Sequence, residues 1–170
     1  MRKELKIIKG RVWTFGDFID TDLIIPHAFL TTADPKELIT HAFENIFKDF
    51  YKKVIPGDII VAGRNFGTGS SREEAVYVLK QMGISAVIAD SFARIYYRNL
   101  LNLGITAIAI KDISKSVKTG DVITIDCKKG ELKNTSNSEM FSFSPFPAYI
   151  LTLIESGGAI NSLLKKLKKH

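Results

Sequence analysis

The stretch Arg64-Asn65-Phe66-Gly67-Thr68-Gly69-Ser70-Ser71-Arg72-Glu73 gathers residue types suited to handling an anion. Two glycines let the backbone approach a ligand closely, and a helix start after them offers free N–H groups and the positive end of a helix dipole. Arg72 adds a guanidinium fork that matches a carboxylate or phosphate. Three readings compete. The first is a capping box, Ser71-x-x-Glu74, which satisfies helix N–H groups but leaves the paired serines and the arginines unexplained. The second is a nucleotide-phosphate loop. No Lys-Ser/Thr follows the second glycine, and Arg72 stands where a dinucleotide fingerprint needs its third glycine. The third is a carboxylate site with a reactive serine. Fixed N–H donors and a guanidinium can stabilise a serine alkoxide, and such a group can take a proton from carbon beside a carboxylate. The residues alone leave the first and third readings open.

Other chemistry-bearing residues are sparser. Asp20-Thr21-Asp22, followed by the loop Phe29-Leu30-Thr31-Thr32, offers two carboxylates. No third metal ligand follows at useful spacing, so a turn held by Asx-type hydrogen bonds is the favoured reading. His27, His41 and His170 stand at no diagnostic distance from an acid or nucleophile, and the G-x-S-x-G elbow is absent. Arg94 and Arg98 share a helix face, where a surface ion pair is the plain reading. Cys127 lies in a strand-like run and reads as a core or edge residue.

The elements that must position these groups are regular in the middle of the chain. Pro56-Gly57-Asp58 is a turn feeding the strand IIVA, 59–62; the glycine loop follows, then a helix from Arg72 to about Met82, stopped by Gly83. AVIA, 86–89, is a second strand. Ser91 can cap a helix that runs to Gly104, and TAIAI, 106–110, is a third strand. That pattern is a βαβαβ unit with a parallel sheet covered by helices. Before it, residues 7–13 read as a strand. Asp34 and Pro35 open a helix that Leu38, Ala42, Ile46 and Phe50 continue to about Tyr51. After it, the alternation in 120–126 reads as an antiparallel strand that Lys129-Gly130 turns into another near Leu132. Residues 148–155 and 159–167 read as helices. The fold expectation is α/β and three-layered: a central parallel unit with additional antiparallel strands, in one domain over 1–170.

Composition narrows the classes. With 170 residues, 45% hydrophobic and 25% charged, the chain can bury a substantial core. One cysteine excludes an internal disulfide, a zinc ribbon and a complete iron–sulfur site built from its own thiolates. A reducing, cytoplasmic setting is expected, with no export signal and no apolar run long enough to span a bilayer. The net charge of +6 sits at the ends. Residues 1–11 hold five basic groups and one acid, and the tail 165–170 holds four lysines, so the body between is mildly acidic. That distribution argues against nucleic acid, which wants a basic stripe with interleaved aromatics.

The motifs NFGTGSSRE, ISAVIADSFARIYYRN and NLGI, after GRVWTFGDFIDTDLIIP and before PFPAYILTLIESGGAINSLLKK, closely resemble the small subunits of 3-isopropylmalate dehydratase. The resemblance covers nearly the whole chain. It implies the swivelling β/β/α domain that also forms the mobile C-terminal part of aconitases. It implies a hydro-lyase that moves a hydroxyl through a dehydrated alkene, from 2-isopropylmalate to 3-isopropylmalate, in leucine biosynthesis. It also implies a large-subunit partner, as a heterodimer or heterotetramer, which carries a four-iron, four-sulfur cluster; this chain itself binds no metal. By motif position Ser70 resembles the base, Ser71 and Arg72 the carboxylate-holding groups, and Asp22 an active-site aspartate. The loop Phe29, Leu30, Thr31, Thr32 resembles a segment tied to substrate choice. Homoaconitase-type small subunits have arginine where Thr31 stands, so an apolar or small substituent is expected here rather than a third carboxylate. Homoaconitate, citramalate and dimethylmalate remain as related substrates, and a non-catalytic anion- or RNA-binding module remains as a reading of another class. Glu74 stands where the family usually has histidine.

Overall fold

The computed structural model describes residues 7–31 and 34–168. Four parallel strands form its centre: β1 (Ile8–Thr14), β2 (Ile59–Ala62), β3 (Ala86–Ala89) and β4 (Thr106–Ala109). Three antiparallel strands extend the sheet: β5 (Val122–Asp126), β6 (Glu131–Asn134) and β7 (Met140–Ser142). The order is β4-β3-β2-β1-β5-β6-β7, so the chain winds outward in one direction from β1 to β4 and returns to pair β5 with the other edge of β1. Val12 pairs with Ile59, Ile59 with Ala86, and Ala86 with Thr106, which keeps the four strands in step.

Alternate residues divide between two cores, as period-2 side chains must. Trp13, Ile60, Ala62, Val87 and Ala89 face a helix layer. That layer holds α1 (Thr21–Ile24), α2 (Pro35–Thr40), α3 (Phe50–Lys53), α4 (Glu74–Gln81) and α5 (Arg94–Asn102). Val12, Ile59, Val61, Ile88 and Ile108 face the other way. They meet Ile113 of α6 (Ile113–Ser116) and the inward residues Ile123, Ile125 and Leu132 of the antiparallel strands. The three layers are therefore helices, parallel strands and an antiparallel arm. The expected helical cover is present on one face, and the arm supplies most of the other. α7 (Ala148–Glu155) packs on α5 through Ile150, Leu153 and Ile154, and α8 (Ala159–Leu167) leaves Ile160, Leu163, Leu164 and Leu167 exposed.

One expected element differs. The helix opened by Asp34 ends at Thr40, and the chain turns through 41–49 before α3. Phe43 adopts a left-handed φ of 59°, its N–H donates to the carbonyl of Ile24 at 3.0 Å, and its ring is fully buried. Ile46, expected inward, is 42% exposed. A left-handed bulky residue costs roughly 1–2 kcal/mol, which burying a phenyl ring offsets by about 1.5–3 kcal/mol. Phe43 stacks on Phe15 and meets Phe50 edge-on, while Trp13 meets Phe47 and Phe50 edge-on. This aromatic cluster breaks the helix that the spacing implies. Among the described residues, no helix is long and apolar enough to cross a membrane.

Candidate active site

The connections leaving the carboxyl ends of β1, β2 and β3 converge, as ligand-binding connections do in open parallel sheets. Backbone pairs lace them together. Thr21 N–H donates to Thr68 C=O at 2.9 Å, and Gly67 N–H donates to Ile19 C=O at 2.7 Å. Phe66 N–H donates to Ser91 C=O, and Ala93 N–H to Phe66 C=O, each at 3.0 Å. Ser91 does not cap α5; its Oγ accepts from Asn65 N–H at 2.9 Å, and Ala93 is the residue before the helix.

Two glycines are required by geometry. Gly67 has φ +79°, and a Cβ there would lie 2.1 Å from the ring of Tyr96. Tyr96 is buried, with its hydroxyl donating to Ala75 C=O at 2.8 Å, so one ring presses the loop, α4 and α5 together. Burial alone pushes the Tyr96 phenol well above its ordinary pKa, so it stays a neutral donor. Gly69 has φ +99° and passes close to Thr21 Oγ1.

Beyond Gly69 the backbone carries unused donors. None of the N–H groups from Ser70 to Glu74 donates to another group among the described residues. The helix starts at Glu74, not Arg72, and Glu73 precedes it without a side-chain cap, so the capping box from Ser71 does not form. Ser70 and Ser71 are exposed. Ser70 Oγ lies 3.4 Å from Oγ1 of the buried Thr21, a distance long for a hydroxyl hydrogen bond but short enough to orient it. A run of free N–H groups beside an exposed hydroxyl is an arrangement that stabilises an oxyanion.

These residues border a cleft of about 380 Å³. One wall is Gly67–Ser71; the other is Ala93–Tyr96 with Arg98. The expected surface ion pair is not there: among the described residues neither Arg94 nor Arg98 has a carboxylate partner. The spacing that put both arginines on one face was the available signal for this wall.

The other expected site residues are placed as follows. Arg72 pairs with Asp22 of α1, its side chain 20% exposed against 60% for the aspartate, so both stand beside the cleft already joined. Asp20 is the turn residue expected of it, accepting from Leu23 N–H at 2.8 Å to cap α1. Phe29 and Leu30 are half-buried against the helix-side core, with Phe29 stacked on His41 at 3.5 Å between ring centres. Thr31 is exposed, and Thr32 lies outside the described residues. Phe29, Leu30 and Thr31 do not line the cleft. His41 pairs with Glu44 at 2.6 Å, while His27 is exposed and away from the cleft. Cys127 follows β5 beyond the Ile8–Ile125 pair, at the opposite end of the sheet from Ser70. Burial, with Asp126 nearby, pushes its thiol up to about 11, so it is no nucleophile at neutral pH. Among the described residues, no three His, Cys, Asp or Glu side chains converge as a metal site.

This combination occurs in known proteins. The aconitase C-terminal domain family matches residues 32–113. The small subunit of 3-isopropylmalate dehydratase from Nautilia profundicola is 48% identical over 98% of this chain and 99% of its own length. The chain belongs to the family of 3-isopropylmalate dehydratase small subunits. The crystal structure of one such dehydratase chain, from Methanocaldococcus jannaschii, superposes with a TM-score of 0.87 at 45% identity, covering 95% of this chain and 96% of that one. Within the family the relatives' names carry different substrates. A relative from M. jannaschii, 47% identical over 95% of this chain and 96% of its own, is an isopropylmalate/citramalate isomerase small subunit. Another from Methanothermobacter thermautotrophicus, 46% identical over 95% of this chain and 93% of its own, is a methanogen homoaconitase small subunit.

Proposed function

We propose that this chain is the small subunit of a cytoplasmic hydro-lyase that converts 2-isopropylmalate to 3-isopropylmalate in leucine biosynthesis, with its active site completed by a large subunit. The observation that carries this reading is the run of free N–H groups from Ser70 to Glu74, set beside two exposed serine hydroxyls at the carboxyl ends of parallel strands.

Each residue has a step to perform. Ser71, Arg72 and the loop N–H groups hold a substrate carboxylate, with Asp22 fixing the plane of the guanidinium. Ser70 Oγ, stabilised as an alkoxide by those donors, takes the proton from the carbon beside that carboxylate. The electron pair left on carbon becomes the double bond as hydroxide leaves the neighbouring carbon. Readdition with the two positions exchanged gives the isomer, and Ser70 returns the proton. The family resemblance implies a four-iron, four-sulfur centre on the large subunit, which when bound would supply a Lewis acid for the departing hydroxyl.

A related substrate is the second reading, favoured by the relatives acting on citramalate and homoaconitate. By the family resemblance Thr31 stands where homoaconitase-type small subunits have arginine, and loss of that cation favours an alkyl malate. Reconstitution with the large subunit, followed by assay across 2-isopropylmalate, citramalate and homoaconitate, decides it. The account predicts turnover highest on 2-isopropylmalate; turnover confined to homoaconitate contradicts the substrate assignment, and a reconstituted pair idle on all three contradicts the function.

A further inference from the structure

Resting on the function proposed above, the charge balance of the cleft points to a second substrate-binding wall that the Ser70 loop does not supply. An alkyl malate carries two carboxylates and an apolar substituent. Arg72 is already neutralised by Asp22, leaving that side of the cleft rich in donors but without net charge. Arg94 and Arg98 stand opposite, both exposed to the cleft and without acid partners among the described residues.

Their placement is unfavourable for α5 itself. Arg94 is the first residue of the helix, where the dipole disfavours a cation, and no acidic residue offsets it in that turn. Arg98 sits four residues on, where a like charge is repelled. A carboxylate between them relieves both penalties. Ile95 lies beside them on the same cleft wall, 57% exposed, while Tyr96, Leu100 and Leu101 anchor the buried side of the helix. The wall is held rigid toward the loop by the Phe66–Ser91 and Ala93–Phe66 hydrogen bonds. We infer that Arg94 and Arg98 bind the second carboxylate of the substrate and that Ile95 receives its alkyl substituent, so that α5 adds to dicarboxylate and alkyl specificity beside the segment 29–32.

The test uses the pair reconstituted with its large subunit. Arg94→Gln and Arg98→Gln should each raise KM for 2-isopropylmalate about 10- to 100-fold, as expected for loss of a charge-assisted contact, with kcat little changed. Arg98→Lys should recover part of that loss. Dicarboxylate competitive inhibitors should lose their advantage over monocarboxylates in both glutamine variants, while thermal stability stays level or rises as repulsion is relieved. Ile95→Ala should lower the preference for isopropyl over methyl substituents about 10-fold. Unchanged KM and unchanged dicarboxylate discrimination in both glutamine variants would overturn the inference while the wild-type pair remains active. Inactivity of the wild-type pair on every malate would instead remove the functional reading beneath it.

Discussion

The two ends of β2 handle polar groups in opposite ways. At the amino end, Asp58 is 1% exposed and its Oδ2 gathers three donors: Trp13 Nε1 at 2.7 Å, an Arg11 guanidinium nitrogen at 2.8 Å and Ile55 N–H at 3.0 Å. At the carboxyl end, the N–H groups from Ser70 to Glu74 and the guanidiniums of Arg94 and Arg98 are left without acceptors among the described residues. A buried carboxylate serving the fold is met by donors, because an unmet one costs about 1–3 kcal/mol or more. A polar group serving a ligand is left open to water until the ligand arrives. The same strand thus separates a staple from a site.

That contrast can be broken from either end. Ser70→Ala should reduce kcat of the reconstituted pair about 1,000-fold and leave the melting temperature alone, measured by steady-state assay beside a thermal melt. Gly67→Ala should cost about 100-fold in kcat/KM, since its Cβ would drive into Tyr96 and shift the loop; a crystal structure of the variant should show the loop displaced. Asp58→Asn should leave kcat of the folded pair untouched and lower stability by about 3 kcal/mol in a urea titration, because one buried acceptor loses its charge against three donors. A fall in kcat without a stability change would erase the distinction between the ends. The smallest effect belongs to Asp17. The Arg64 side chain, by hydrogen bonds at 2.6 and 3.0 Å, holds this carboxyl below its ordinary pKa. A depressed carboxyl contributes stability above its unfolded pKa, about 4, and loses it as pH falls through the lowered value. Asp17→Asn should therefore slightly lower stability at pH 7 and flatten the acid limb of the stability–pH curve, the difference from wild type vanishing as pH falls through the lowered value.

The parallel unit was legible because its strands are apolar on both faces and its turns carry glycine at the ends. Strands 59–62 and 86–89 and helices 148–155 and 159–167 fall where their patterns put them. The helix expected through Tyr51 was not, because the i, i+4 series Leu38, Ala42, Ile46, Phe50 competes with an aromatic cluster that only tertiary contact reveals. The Ser70 loop was legible from its glycines and serines. Arg72's pairing with Asp22 was not, since fifty residues separate them. Arg94 and Arg98 were seen to share a face, but which way that face points depends on Tyr96 locking against Gly67, which no local pattern encodes.

The central claim is that Ser70 takes the proton from carbon. It is tested most directly by following deuterium wash-out from 2-isopropylmalate labelled at the carbon beside its terminal carboxylate, using the reconstituted pair. The account predicts wash-out with wild-type small subunit and almost none with Ser70→Ala, although the variant still binds substrate. Wash-out at the wild-type rate in Ser70→Ala would contradict it.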